Sequence, residues 1–225
     1  MNSPLRDPGF AASRSAGSAT DVFLAAHRKG WEYFGNGLLC LTGLVYIFVM
    51  LSDFLQKHRI SSLYVAVFEA GVVFFAVTRP MPKETNGSLY DWTIALLGSY
   101  LIMLMRPAPV VHDHIALLTV QIAGMAISLT GLFSLNQSFG VVAANRGVKR
   151  AGLYRFIRHP IYAGYFLSFG AYLLQNITLF NLVIYAVFVA TELLRIEAEE
   201  RVLSRDPSYA SYSLQSRWRI LPLIY

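Results

Sequence analysis

The sequence contains little charge and almost no cysteine. Only 14% of its 225 residues are Asp, Glu, Lys or Arg, about half the roughly 25% that is usual in soluble domains. The one cysteine, Cys40, excludes an intrachain disulfide and a thiolate metal cluster. Hydrophobic residues make up 55% of the chain, and its mean hydropathy is +0.47. This composition indicates an integral membrane protein.

Several common functional motifs are also missing, among them a phosphate-binding loop, a Gly-x-Ser-x-Gly nucleophile motif and any known nucleic-acid motif. The net charge is +6, but the basic residues flank apolar segments, where they meet anionic headgroups. We therefore expect the lipid bilayer as partner, and no nucleic acid. His112-Asp113-His114 looks like a set of metal ligands, but it lies in a short loop and no third or fourth ligand is nearby in the sequence. We therefore expect no metal site.

Six apolar segments are candidate membrane spans, because a bilayer crossing requires roughly 20 mostly apolar residues. They cover about residues 35–55, 62–78, 89–105, 115–135, 160–174 and 178–194. Before them, residues 1–30 lack an apolar core and are predicted to be a disordered tail. We predict an all-α integral membrane protein with five or six transmembrane helices, the first four within residues 31–135, and a cytoplasmic C-terminal helix and tail.

The distribution of basic residues predicts the orientation. With six spans, all lysines and arginines except Lys57, Arg59 and Arg106 fall on the side that holds both termini. Basic loops stay on the cytoplasmic side of a membrane. Both termini are therefore predicted to be cytoplasmic.

A basic loop leads into the fifth apolar segment through His159-Pro160. Proline favours the first turn of a helix, so His159 is predicted at a helix N-terminus, whose unpaired N–H groups attract carboxylates and phosphates. Arg158 adds positive charge, Tyr162 offers a hydroxyl, and Gly164 permits close approach of a helix or a ligand. The alternative is an interfacial anchor, since Arg, His and Tyr are common at headgroup depth.

A second polar stretch begins inside the last apolar segment. Glu192, Arg195 and Glu199 are spaced i, i+3, i+7, so they share one helix face. Glu192 lies at the hydrocarbon boundary, where ionisable groups are costly and usually face the protein interior or a cavity. The alternative is a solvated stripe with local ion pairs, which is favoured for neighbouring charged residues such as Glu200 taken singly.

Together the two stretches resemble the membrane methyltransferase superfamily, which includes isoprenylcysteine carboxyl methyltransferases and phospholipid N-methyltransferases. The shared pattern is Gly-x-Tyr-x-x-x-Arg-His-Pro-x-Tyr-x-Gly, a helical hairpin, Arg-x-x-x-Glu-Glu, Tyr-x-x-Tyr and a closing Pro. The residues that carry it here are Gly152, Tyr154, Arg158, His159, Pro160, Tyr162, Gly164, Arg195, Glu199, Glu200, Tyr209, Tyr212 and Pro222. The resemblance covers about residues 135–225.

The resemblance implies S-adenosylmethionine as methyl donor and residues 136–225 as the cofactor-binding catalytic part. It implies cofactor contacts by Tyr154, His159, Pro160, Tyr162, Gly164, Glu199 and Glu200, and catalytic roles for Arg195 and Glu199. Arg158 is a further candidate cofactor contact, because the helix N-terminus that follows it can take the cofactor's carboxylate. The apolar hairpin would leave a lateral opening for a lipid-like or small hydrophobic methyl acceptor. Methyl transfer from a sulfonium mostly requires the donor and acceptor to be held in line in a dry site.

The acceptor stays open at this point. The resemblance favours O-methylation of an isoprenylcysteine-type carboxylate, which Arg195 could orient, whereas an amine would need a base such as Glu199 or a tyrosine. The sequence departs from the prenylcysteine enzymes in two places. Asp206-Pro207-Ser208 occupies the region of a usual glycine, and Ile161 stands where serine is common. A phospholipid amine, a fatty or isoprenoid acid and a small thiol remain alternatives.

Two other classes of function compete with the methyltransferase. Membrane NADPH-dependent sterol or enone reductases have a similar C-terminal arrangement with a His-Pro-Asn-Tyr-Leu-Gly-Asp-like step. Here Ile161 replaces the Asn and Tyr165 replaces the Asp, which favours the methyltransferase. A non-enzymatic scaffold or transporter is the third reading. Against it, the polar groups gather at one end of the spans, whereas transporters bind near the midplane.

Overall fold

The computed structural model describes residues 28–78, 89–109, 113–135 and 148–220. Within these ranges every regular element is a helix, apart from one isolated parallel bridge between Ile157 and Trp218. The helices are α1 Arg28–Lys57, α2 Ile60–Thr78, α3 Leu89–Tyr100, α4 Ile115–Leu135, α5 Pro160–Gln175, α6 Leu179–Leu203 and α7 Pro207–Gln215. A 3-10 turn, Leu101–Leu104, extends α3, and another, Gly152–Arg155, precedes α5. The all-α prediction is confirmed, while residues 1–27 of the predicted tail lie outside the described ranges.

Four of these helices are long and apolar enough to cross a membrane. They are Tyr33–Lys57, Ile60–Thr78, Ile115–Leu135 and Leu179–Leu203, and Leu89–Leu104 is a shorter apolar helix. Helix α5 has 16 residues, which give a length of about 24 Å, less than the hydrocarbon thickness of about 30 Å. The chain is a multi-pass membrane protein, as the hydropathy predicted.

The predicted C-terminal helix forms the end of α6, and a further helix follows it. Helix α6 continues without a break past residue 194 to Leu203, because Arg, Glu, Ala and Leu are strong helix formers whether or not lipid surrounds them. Helix α7 was not predicted. Its signal was Asp206-Pro207: the Asp206 side chain accepts a hydrogen bond from the Ser208 N–H at 2.8 Å, and proline occupies the first turn.

Small residues bring α4 and α5 into close contact. A Cβ added to Gly124 of α4 would lie 2.6 Å from the backbone nitrogen of Ser168, and one added to Gly164 of α5 would collide with Ser128 and the Gly124 carbonyl. Hydroxyls bridge the two backbones at this contact. Ser128 Oγ donates to the carbonyl of Ile161 at 3.0 Å, and Ser168 Oγ donates to the carbonyl of Gln121 at 2.9 Å. Such small-residue packing is typical of membrane helix pairs, and it fixes the position of α5.

A buried polar cluster ties the bundle together at the other end of α5. The carboxylate of Asp53, near the end of α1, accepts hydrogen bonds from both Arg59 and Ser62. Arg59 also donates to Asn176 Oδ1 at 3.0 Å. The turn between α1 and α2 is thereby joined to the turn between α5 and α6.

Candidate functional site

The segment that follows α7 holds the start of α5 in place. Backbone N–H groups of Arg158 and His159 donate to the carbonyls of Trp218 and Arg219, at 2.9 and 2.8 Å. Because His159 directly precedes Pro160, these bonds orient the N-terminus of α5. The polar residues that precede α5 and the end of the described chain therefore form one local structure.

Glu200, near the end of α6, is the centre of this structure. Its Oε1 accepts from Arg158 Nε at 2.9 Å and from the Tyr209 hydroxyl at 2.6 Å, and it lies 2.8 Å from His159 Nε2. One carboxylate oxygen therefore joins α6 to the start of α5 and to α7.

Glu199 contacts a different set of groups. Its Oε1 accepts a hydrogen bond from the Tyr162 hydroxyl, and its Oε2 lies 3.6 Å from His159 Nδ1. The His159 ring therefore lies between two carboxylates. Burial alone lowers the pKa of His159, but the hydrogen bonds to Glu199 and Glu200 outweigh burial and raise it above its usual value. The geometry favours an imidazolium that neutralises part of the acidic pair.

Three tyrosines lie beside this acidic pair, one in the 3-10 turn before α5 and two on α7. Tyr154, Tyr209 and Tyr212 form one buried cluster, and the Tyr212 hydroxyl donates to the Tyr154 carbonyl at 2.6 Å. Burial and then the negative charge of Glu199 raise the pKa of Tyr154. Its hydroxyl therefore stays protonated and able to donate at neutral pH.

Arg195 links these groups to the membrane interior. Its guanidinium carbon lies 5.7 Å from the centre of the Tyr162 ring, a cation–π distance. Its Nη1 is 3.4 Å from Oε1 of Glu192, a fully buried carboxylate. Gly98 of α3 makes room for this pair, since a Cβ there would lie 2.5 Å from Glu192 Oε1.

A cavity begins at Arg195. It encloses about 460 Å³ of empty space, counted together with its opening to solvent. Its walls come from α1, α2, α3 with its 3-10 extension, α5 and α6. Most of the lining is apolar, including Met103, Phe169 and Phe188, and the two charged residues in it are Glu69 and Arg195.

The structure brings together most of the site residues predicted from the sequence. Those within one connected cluster are Tyr154, Arg158, His159, Tyr162, Arg195, Glu199 and Glu200. Pro160 occupies the first turn of α5 and is buried. Gly164 instead faces α4, where the sequence had allowed either a helix or a ligand.

Two features of the site did not follow from sequence reasoning. Tyr209 was recognised only as part of a pattern, although its hydroxyl contacts Glu200 directly. Glu69 was overlooked. A single carboxylate in the middle of an apolar span was the available signal, because such groups usually mark function.

The His112-Asp113-His114 loop shows no feature of a metal site in its described part. Asp113 accepts a hydrogen bond from the Ser61 N–H at 3.0 Å, which ties the loop to α2. His112 lies outside the described residues. In the described ranges, no three residues of the His, Cys, Asp and Glu types are grouped so that they could hold a metal ion.

Of the comparisons with known proteins, the one with family models supports the sequence resemblance. No curated protein matches this chain. The match to a family model runs over residues 116–205, so it includes α5, α6 and the residues from Tyr154 to Glu200, and stops before α7. This part of the chain matches the model of the Isoprenylcysteine carboxyl methyltransferase (ICMT) family, which confirms the resemblance and supports a membrane methyltransferase.

Proposed function

We propose that this protein transfers the methyl group of S-adenosylmethionine to a lipid-like or small hydrophobic acceptor. The proposal rests on two neighbours of Arg195, one in the acidic cluster and one in the apolar cavity. Arg195 lies over the ring of Tyr162, whose hydroxyl bonds Glu199, and it also lines the apolar cavity. A donor held by the acidic cluster and an acceptor held in the cavity would therefore meet beside one residue.

The groups in the cluster suit S-adenosylmethionine. The side chains of Glu199 and Glu200 keep 22% and 15% of their surface exposed, so they remain accessible to the ammonium and ribose hydroxyls. We propose that these two carboxylates, with Tyr154, Arg158, His159, Pro160 and Tyr162, hold the cofactor. Gly164 would act indirectly, by setting the position of α5 against α4. When bound, the cofactor supplies an electrophilic methyl group on its sulfonium.

Arg195 and Glu199 are the residues proposed to act on the reacting groups. Arg195 would orient an anionic acceptor group at the mouth of the cavity, because its guanidinium is rigid and always charged. This assignment favours O-methylation of a carboxylate of the isoprenylcysteine type. The apolar lining would exclude water and keep the two reactants in line.

The membrane orientation is part of the proposal. The end of the bundle that carries His159 and Glu199 would face the cytoplasm, together with both termini. The basic residues Arg150, Arg155 and Arg158 at this end support that placement by the positive-inside rule. The acceptor would enter the cavity from the bilayer.

Calorimetric titration of S-adenosylhomocysteine and, separately, NADPH into the detergent-purified protein tests the proposal. We expect the wild type to bind the adenosyl compound and the Glu199→Gln variant to bind it at least tenfold more weakly. Glu197→Gln is the matched control. It makes the same charge change on the same helix at an exposed position, and it should bind like the wild type.

Each result has a direct meaning. Binding of NADPH instead of S-adenosylhomocysteine would reject the methyltransferase and favour the reductase. Binding of neither compound would leave the scaffold or transporter. After binding is established, incorporation of labelled methyl groups into carboxylate, amine and thiol acceptors identifies the reaction.

A further inference from the structure

Glu69 is a buried carboxyl that the cofactor cluster does not use. It lies in the middle of α2 and is only 3% exposed, yet it lines the cavity that begins at Arg195. Among the described residues, its Oε1 has no hydrogen-bond partner. A buried carboxyl oxygen that lacks a partner within a membrane bundle is costly, and such groups usually mark a functional site.

The cavity wall beside Glu69 is mostly apolar. The neighbours of Glu69 in this wall, Phe68 and Val72, are apolar. The other charged residue of the lining, Arg195, contacts Glu192 and Tyr162. On the side of α1, Gly43 allows the helix to approach so closely that a Cβ there would lie 3.1 Å from Glu69 Oε1.

Gln121, another buried polar residue in the bundle, differs from Glu69 because its side chain joins helices through hydrogen bonds. Gln121 of α4 is fully buried, and its Nε2 donates to the Ser61 carbonyl at 3.0 Å. Its Oε1 accepts from Gln175 at 3.1 Å. The polar atoms of Gln121 are thus paired within the protein, whereas Glu69 Oε1 has no partner among the described residues.

We propose that Glu69 is a specificity-determining residue that selects acceptors whose apolar body carries, in addition to the group that is methylated, a hydrogen-bond donor such as an amine or a hydroxyl. This inference rests on the proposed function, because it assigns the cavity to the methyl acceptor. The reacting end of the acceptor would lie at Arg195 on α6. Its donor group would lie at Glu69 on α2, which also lines the cavity.

The test compares three ligands of equal chain length with the full-length protein in detergent: dodecylamine, dodecanol and methyl dodecyl ether. Native mass spectrometry measures the apparent affinity of each. The ether has nearly the shape of the alcohol but cannot donate a hydrogen bond. We expect the wild type to bind the amine and the alcohol at least tenfold more tightly than the ether.

Two variants separate the possible roles of the carboxyl. Glu69→Met should bind all three ligands alike. Glu69→Gln keeps an accepting oxygen, so it should retain the preference for the alcohol and lose much of the preference for the amine. Thermal unfolding serves as the fold control, and Glu69→Met should melt at or above the wild-type temperature because an unpartnered buried carboxyl has been removed.

Equal binding of the three ligands by the wild type, or an unchanged preference in Glu69→Met, would overturn the inference. A lower melting temperature of Glu69→Met would overturn it as well, since the carboxyl would then have a structural partner. Binding of S-adenosylhomocysteine is measured in the same samples. If the wild type does not bind S-adenosylhomocysteine but keeps the donor preference, the proposed function is rejected. If it binds S-adenosylhomocysteine but shows no donor preference, only the role of Glu69 is rejected.

Discussion

Nε2 of His159 lies 2.8 Å from Oε1 of Glu200, although the two residues are 41 positions apart in the sequence. This contact joins the residue before α5 to the last turn of α6. Arg158 and Tyr209 donate to the same oxygen. Glu200 therefore determines how the helix ends meet, and its neighbour Glu199 is held where it faces Tyr162 and His159.

The first prediction concerns the pH dependence of stability. Because the hydrogen bonds to Glu199 and Glu200 raise the pKa of His159 when the protein folds, the imidazolium stabilises the native state. This contribution is complete below the unfolded value of about 6.5 and is lost as the pH rises through the higher folded value. We expect the melting temperature in detergent to fall over this window, and the fall to be smaller in His159→Gln.

His58→Asn is the control for this experiment. His58 is exposed and has a positive φ of 54°, a conformation that asparagine tolerates well. The variant should retain the wild-type dependence on pH. An equal fall in wild type and His159→Gln would contradict the assignment to His159.

The second prediction concerns the contact between α4 and α5. Gly164→Ala places a methyl group against Ser128 and the Gly124 carbonyl, and a helix backbone cannot yield as a flexible side chain does. We expect a loss of about 3 kcal/mol in the free energy of unfolding, the upper part of the usual range for overpacking. Denaturation in mixed micelles measures it.

Gly37→Ala makes the same chemical change where nothing lies within 4 Å of the new Cβ. In that helical position alanine is favoured over glycine by up to about 1 kcal/mol. The two substitutions should therefore change stability in opposite directions. A neutral Gly164→Ala would show that α4 and α5 are not packed as closely as described.

The third prediction concerns the buried ion pair at the other end of α5. Arg59→Met leaves the Asp53 carboxylate buried without its main partner, which typically costs 3–5 kcal/mol. Lys57 contacts the same carboxylate at 3.2 Å from a side chain that is 36% exposed. Lys57→Met should therefore cost no more than about 1 kcal/mol. Equal losses in the two variants, measured by the same denaturation, would contradict this difference.

Hydropathy alone predicted the helices well, because lipid requires long apolar segments with internally paired backbones. The predicted segment 115–135 coincides with α4, and 62–78 lies within α2. Asp206 and Pro207 contained the signal for α7, a side-chain cap followed by a proline in the first turn, although this segment was predicted to be part of the tail. Helix caps are local and strong, so this helix was predictable from the sequence.

The site was predictable where its residues lie close in the sequence. Spacing alone placed Glu192, Arg195 and Glu199 on one face, and the structure shows Arg195 beside Glu192. Spacing could not show that Glu69 of α2 and Arg195 of α6 line one cavity, because that depends on how distant helices pack. It also could not separate the roles of Glu199 and Glu200, which differ only in the partners that surround them.

The last prediction tests whether Arg195 serves the acceptor. Arg195→Lys keeps the charge but loses the planar group that lies over Tyr162 and reaches Glu192. A displacement of about 1 Å at a reacting group can reduce turnover about 100-fold. We expect methyl transfer to fall by about that factor while the affinity for S-adenosylhomocysteine changes little, because Glu199 and Glu200 remain in place. Arg201→Lys, at an exposed position of the same helix, should leave both quantities unchanged. If Arg195→Lys weakens the binding of S-adenosylhomocysteine by the same factor by which it lowers turnover, Arg195 belongs to the methyl-donor site. The two reactants must then meet deeper in the cavity.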